Sequence, residues 1–279
     1  QAKENFLKNA AKNVWALIQT MIQKIKELIT KGTIWLNNDA KKAEKLLKVV
    51  KDKKATLKEG VTELTEDEQK SIANKFAAWL STDSKLEDYT DFTDKGLRPL
   101  EVRIKEDTDG KEILEVLNDI AELNKIVKKN KDVAADSNYS TVVSVAGSTI
   151  KYLAADSNTG ITKVSTVTVS PDSVIEKVGK KIPSLELLHD FATQAVVLSK
   201  EFKNTANQCL KYMEDVKKMT GELVEGENFA VRKSFAIATS QTHLAIIDGY
   251  IASQRAMIWL AGTFINKYQG PDAKAEDKK

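Results

Sequence analysis

The side chains equipped for acid–base or nucleophilic work are few: two histidines, His189 and His243, and a single cysteine, Cys209. His189 stands beside Asp190, which suggests an acid–base pair. Neighbouring residues of a helix point about 100° apart, so the two are not expected to face one another. Cys209, His243 and Asp248 are the types needed for a nucleophile, a base and an orienter. Nothing in their spacing brings them together, and a buried, inert thiol is the simpler expectation for Cys209. The run Asp107-Thr108-Asp109-Gly110 has the composition of a calcium loop. With Gly110 at the turn position the first ligand is Lys105 and the last Val116, and neither offers a carboxylate, so the run reads as a turn. The sequence holds no Gly-rich phosphate cradle, zinc-ligand spacing or His-Glu-x-x-His motif. The chain is therefore expected to be non-enzymatic, with no catalytic residue, metal ligand or cofactor.

The elements that would position these groups are helical by pattern. Val14, Leu17, Ile18, Met21, Ile22, Ile25, Leu28 and Ile29 recur at helical spacing, predicting a first helix over about Asn5–Lys31 that Gly32 ends. A second is predicted over about Asn37–Lys58, with Ala40, Ala43, Leu46, Leu47 and Val50 inward. Thr65 and Glu68 form a capping box for a third, which reaches Leu80 through Ile72, Phe76 and Trp79. Residues 81–111 read as irregular and acidic, with a short strand at Leu100–Lys105, and helix returns at Lys111–Lys129.

Residues 139–170 are rich in Thr, Ser and Val, predicting strands at Thr141–Val145, Thr149–Leu153 and Lys163–Ser170. The echo of Ala134–Asn138 in Ala154–Asn158 points to two similar turns. Ser184 then caps a long helix to about Met219, and a second long helix runs from Glu227 to about Tyr268. This last stretch is apolar on nearly every side, the pattern of a helix enclosed by others. Its small residues Ala238, Thr242, Ala245, Gly249, Ala252 and Ala256 form a face for close helix approach. The fold class that follows is mainly α: an elongated helical bundle with long antiparallel C-terminal helices and a small β insertion. Its regions are an N-terminal helical part (1–132), the β-rich insertion (133–183), the helical hairpin (184–269) and a tail (270–279).

Charge is divided unevenly along the 279 residues. Residues 1–60 hold 14 Lys against 6 Asp/Glu, and residues 61–120 hold 8 Lys/Arg against 16 Asp/Glu, so a surplus of eight positive charges precedes a surplus of eight negative ones. Such blocks attract one another within a fold or between copies. Arginine occurs only at 98, 103, 232 and 255. Lysine lacks the fork that reads guanines bidentately, so sequence-specific DNA recognition is disfavoured while non-specific DNA contact stays open. Asp248 and Arg255 interrupt the best apolar run, which is too short to span a bilayer.

The best functional signal is the basic amphipathic first helix. Val14, Trp15, Ile18, Ile22, Ile25 and Trp35 make a candidate interaction face for a partner groove or an anionic membrane. The same residues also fit a bundle helix with a solvated lysine face. The pattern Val14-Trp15-Ala16-Leu17-Ile18 with Ile22-Gln23-Lys24-Ile25-Lys26-Glu27-Leu28-Ile29, at the start of a chain without Met at Gln1, resembles the mature start of internal head proteins of large tailed phages. That resemblance implies a trimmed propeptide, packing with DNA in the virion interior, and other virion proteins or further copies as partners. It carries over no site residue. The helix–β–helix order is also similar to that of helical pore-forming toxins, which implies a secreted, membrane-acting subunit as the alternative.

Overall fold

The computed structural model describes residues 2–50, 55–81, 84–90, 93, 127–128, 139–143, 148–154, 161–221 and 229–269. Three long helices form its body: α1 (Ala2–Val50), α4 (Leu185–Gly221) and α5 (Phe229–Phe264). At 1.5 Å per residue these are about 73, 55 and 54 Å long. Among the described residues they are accompanied by α2 (Glu66–Leu80), a single turn α3 (Ile175–Val178), and six strands. Mainly α architecture with long helices packed on one another is thus the observed fold.

Helix α1 buries Val14, Ile18, Ile22, Ile25, Leu36, Ala40 and Ala43 in one stripe. Each fully buried isoleucine contributes roughly 1.5–3 kcal/mol from apolar surface removed from water. The stripe lies against both α4 and α5. Asn37 accepts a hydrogen bond from Ser199 at 3.0 Å, and Lys26 approaches Glu214 at 3.8 Å, so α1 and α4 run antiparallel. The order of contacts from Leu36–Gln254 to Leu46–Gly262 makes α1 and α5 parallel.

The two helices expected over Asn5–Lys31 and Asn37–Lys58 are one. Gly32 does not end the first, because the helix continues through it and Thr33 donates back to the Ile29 carbonyl at 2.6 Å. A Cβ at Gly32 would stand 2.8 and 2.9 Å from the Phe202 ring and 3.2 Å from Ile251 Cδ1. Glycine is there because α4 and α5 press close to α1, a tertiary demand that overrides its poor helix propensity. The far end of the predicted second helix is also corrected. The described helix reaches Val50, and Thr56–Leu57 is a strand, β1, paired antiparallel with β6 (Tyr268–Gln269). Lys58 N–H donates to the Lys267 carbonyl at 2.9 Å, closing this clasp.

Helix α2 starts as its sequence requires. Glu68 N–H donates to Thr65 Oγ1 at 3.2 Å, and Thr65 N–H donates to Glu68 Oε2 at 2.9 Å. It kinks at Phe76 (φ −121°, ψ 18°), which carries an aromatic cluster over the bundle end. Phe76 meets Tyr89 edge-on at 4.8 Å between centroids, and Tyr89 lies 5.9 Å from Phe191 of α4. Ser184 caps α4 through its hydroxyl, which accepts from Leu187 N–H at 3.2 Å.

The insertion is an antiparallel meander of β2 (Val127–Lys128), β3 (Tyr139–Val143), β4 (Ser148–Ala154) and β5 (Ile161–Thr168). Tyr139 pairs with Leu153, and Ser148 with Thr168, with a register shift at Leu153/Ala154. Three strands fall where expected. Val127–Lys128 was expected to end a helix; it pairs instead with Val142 and Thr141, so the sheet borrows a strand from the N-terminal region. The predicted strand Leu100–Lys105, the helix before Val127, the turn at Asp107–Gly110, the Ala134–Asn138 echo and the tail after 269 lie outside the described residues. One apolar core runs from Val14 of α1 to Ile265 at the end of α5, so the N-terminal region and the hairpin share it.

Candidate interaction surface

The reactive side chains are dispersed. Cys209 faces the core of α4, and burial pushes its thiol up to about 12, leaving it un-ionised and inert at neutral pH. His243 is buried on α5, its Nδ1 2.8 Å from the Thr239 carbonyl and its ring 5.6 Å from that of Tyr212. Asp248, five residues on, points elsewhere: burial raises its carboxyl pKa, and Lys24 of α1 partly offsets this. The three do not form a triad. His189 Nδ1 and Asp190 Oδ1 are 3.8 Å apart on the surface of α4, nearer than adjacent helical positions suggested but too far for a hydrogen bond. Among the described residues no three His, Cys, Asp or Glu side chains gather where a metal ion could be held.

The polar groups of α5 act structurally. Gln254, fully buried, donates from Nε2 to the Leu36 carbonyl of α1 and the Ala195 carbonyl of α4, each at 3.0 Å. One side chain thus ties all three long helices. Thr205 of α4 and Tyr250 of α5 share a buried hydrogen bond of 3.2 Å. Of the small-residue face, Thr242, Gly249 and Ala256 are buried, Ala245 and Ala252 half-buried. At the clasp end, burial raises the Glu68 carboxyl pKa, but bonds to Lys267 (2.7 Å) and Thr65 more than reverse this and hold it below the usual value. A cleft of about 470 Å³ lies nearby, lined among others by Leu64, Ile72, Ser84, Lys177, Ser184 and Leu187.

The predicted interaction face on α1 divides in two. Val14, Ile18, Ile22 and Ile25 are buried in the chain's own core, because α4 and α5 occupy the groove a partner would need. Trp15 and Trp35 are exposed on either side of that stripe. Lys217 of α4 lies 4.8 Å above the Trp15 ring, and Arg255 of α5 lies 4.9 Å above Trp35. Each cation is within reach of the negative face of its indole and ties it to the neighbouring helix. Asp39 anchors the second pair at 3.8 Å from Arg255.

Leu17, read from the sequence as part of the apolar stripe, is exposed instead, and Phe6, Ile34 and Val49 escaped the sequence reading, with Phe6 71% and Ile34 58% exposed. Together with Trp15 and Trp35 they are the large apolar side chains exposed among the described residues, and all six sit on α1. The signal was present as a second period. Phe6, Leu17, Trp35 and Val49 are separated by 11, 18 and 14 residues, close to whole helical turns at about 100° per residue. They share the edge of α1 beside α5, where Phe6, Leu17 and Ile237 line a shallow groove of about 370 Å³. Among the described residues no helix is long and apolar enough to cross a membrane. Comparison with protein-family models, with curated proteins and with solved structures finds no match to this chain.

Proposed function

We propose that the chain is a non-enzymatic structural protein that works by helix–helix association, as an internal head protein packaged with DNA in a phage virion. The observation that carries the association is that, among the described residues, the exposed large apolar side chains all lie on α1, and four of them share one edge. Scattered single apolar residues are ordinary on a surface; an aligned edge on one helix is a seam for a second helix. Other virion proteins or further copies of the chain are the partners that fit it. The dispersal of His189, Cys209, His243 and Asp248 supports a role without catalysis.

Sedimentation across a wide range of protein concentration tests the seam. The chain is expected to self-associate, or to bind a second virion protein, and Leu17→Glu with Trp35→Glu to weaken that binding at least tenfold. An equal affinity in the double variant would refute the reading. The exposed tryptophans, one beside a lysine and one beside an arginine, favour a second reading, a secreted helical pore-forming toxin subunit, since such pairs suit a membrane interface. Release of dye from liposomes at low protein concentration would support that alternative; intact liposomes would count against it.

A further inference from the structure

Helix α1 has a third face, turned away from both the core stripe and the apolar edge. With about 100° per residue, the sector opposite Ile18 and Leu36 collects Lys12, Lys31, Lys41, Lys45 and Lys48. All five are exposed, and none has a carboxylate partner within ion-pair distance among the described residues. Between them lie the exposed amides Asn5, Asn9, Asn13, Gln23 and Asn38. Glu27 is the sole acidic side chain in the sector; Ile34 is its large apolar one, and Val49 lies at its border with the apolar edge.

We infer that this back of α1 binds the phosphate backbone of double-stranded nucleic acid without reading its sequence. The inference deepens the packaging role proposed above and rests on it. Lysines supply the charge that displaces condensed counterions, and side-chain amides are donors that phosphate oxygens accept. Lysine in place of arginine gives point charges with no bidentate match to a base edge. The span from Lys12 to Lys48 is about 54 Å, the length of about 16 base pairs. A membrane surface fits less well: an interfacial helix needs a continuous apolar face to sink, and this sector offers Ile34, with Val49 at its border, among amides and lysines.

The test uses the full chain and fluorescein-labelled duplexes of about 25 base pairs, in two unrelated sequences, followed by anisotropy over a salt series. Affinities for the two should agree within a factor of about two. Log affinity should fall linearly with log salt with a slope of about −3 to −5, for four or five phosphates neutralised. The combined variant Lys12→Gln, Lys41→Gln, Lys45→Gln, Lys48→Gln should flatten that slope by about two or more, since each lost contact removes about 0.9. The control Lys200→Gln with Lys203→Gln, on exposed positions of α4, should keep the original slope. Binding independent of salt, or an unchanged slope in the fourfold variant, would overturn the inference. Tighter binding to vesicles of phosphatidylcholine with phosphatidylserine, lost in Ile34→Glu, would overturn it in favour of a membrane. Self-association of the fourfold variant is measured separately: its persistence with loss of duplex binding leaves the seam intact, and a wild-type chain that fails only to bind duplex sinks this inference alone.

Discussion

Replacing Gly32 by alanine tests the packing of the three long helices at its tightest point. In an open helix site the change stabilises by about 1 kcal/mol, because alanine is the better helix former. Here the new methyl would meet two Phe202 ring carbons at 2.8 and 2.9 Å and Ile251 Cδ1 at 3.2 Å, against a preferred carbon–carbon separation of about 3.5–4.0 Å. The ring must therefore retreat by roughly 0.7–1 Å. It has little room, being 1% exposed and 6.2 Å from the Tyr250 ring. Overpacking of a filled core costs about 1–3 kcal/mol, and with two hard contacts and a third close one the upper half of that range applies. Subtracting the helix gain leaves a net loss of about 1–2 kcal/mol, a fall of roughly 3–6 °C in Tm for a chain of this size. Urea unfolding followed by circular dichroism reads it directly. Phe202→Leu shortens the ring, so Gly32→Ala made in that background should be neutral or stabilising, with a coupling of about 1–2 kcal/mol in the double-mutant cycle. A variant that melts higher than the parent, or costs that simply add, would refute close approach at Gly32.

Gln254→Ala should cost about 2–4 kcal/mol, from a cavity and two lost hydrogen bonds between helices; Gln254→Met keeps the volume and should cost at least about 1 kcal/mol less. Equal losses in urea unfolding would show that the hydrogen bonds, not the filling, dominate. Asp248→Asn should stabilise the fold at neutral pH, because burial raises the carboxyl pKa in the folded chain above its unfolded value. The stability of the protonated form is present at acid pH and lost as pH rises through the folded value, so variant and parent should converge below about pH 4. A difference that ignores pH would exclude this cause. The Cys209 thiol, pushed up to about 12 by burial, contributes stability that is complete below its ordinary value near 9 and lost as pH climbs toward 12. Cys209→Ala should accordingly flatten the alkaline limb of the stability profile. In the parent at pH 8, a thiol reagent should react no faster than the chain unfolds; rapid labelling would show the site to be open.

What the sequence revealed depended on whether neighbours in the chain or distant partners set the local structure. The Thr65–Glu68 box and the Ser184 cap are decided within four residues, and both stand where the pattern put them. The enclosure of the last helix was legible because apolar residues all round have no other stable place. Gly32 was misread because its reason lies on α4 and α5, at Phe202 and Ile251, which no window around residue 32 contains. Thr56–Leu57 was misread for the same cause: its strand exists only through Tyr268–Gln269, more than two hundred residues away. The candidate face on α1 mixed two sectors, since apolar spacing alone does not say which stripe the chain covers itself. Val14, Ile18, Ile22 and Ile25 went to the core, and the exposed edge was carried by residues such as Phe6 and Leu17 whose period is offset from theirs.

The angular division of α1 explains why one helix can serve the core and two kinds of partner at once. Its buried positions Val14, Ile25 and Leu36, with half-buried Leu47, repeat every 11 residues, a period close enough to the helix's own that the stripe drifts by only about 20° per repeat. A strict seven-residue repeat drifts as much in the other direction with each heptad and winds the seam around the helix faster. Slow drift keeps the apolar edge from Phe6 to Val49 beside α5 and the lysines from Lys12 to Lys48 behind it. The cations that cover Trp15 and Trp35 come from α4 and α5, so the aromatic boundary between sectors is fixed by the same packing that buries Ile18 and Leu36. Loosening the bundle at Gly32 or Gln254 should therefore disturb the outer faces through the indoles, although neither residue reaches the surface. Helix α5 follows the reverse logic: enclosed on most sides, it carries its polar groups inward, and Gln254 spends both its amide hydrogens on the carbonyls of its two partners. Sliding any helix by one turn would strand that buried amide, a penalty of the kind that selects one register among apolar surfaces otherwise tolerant of several.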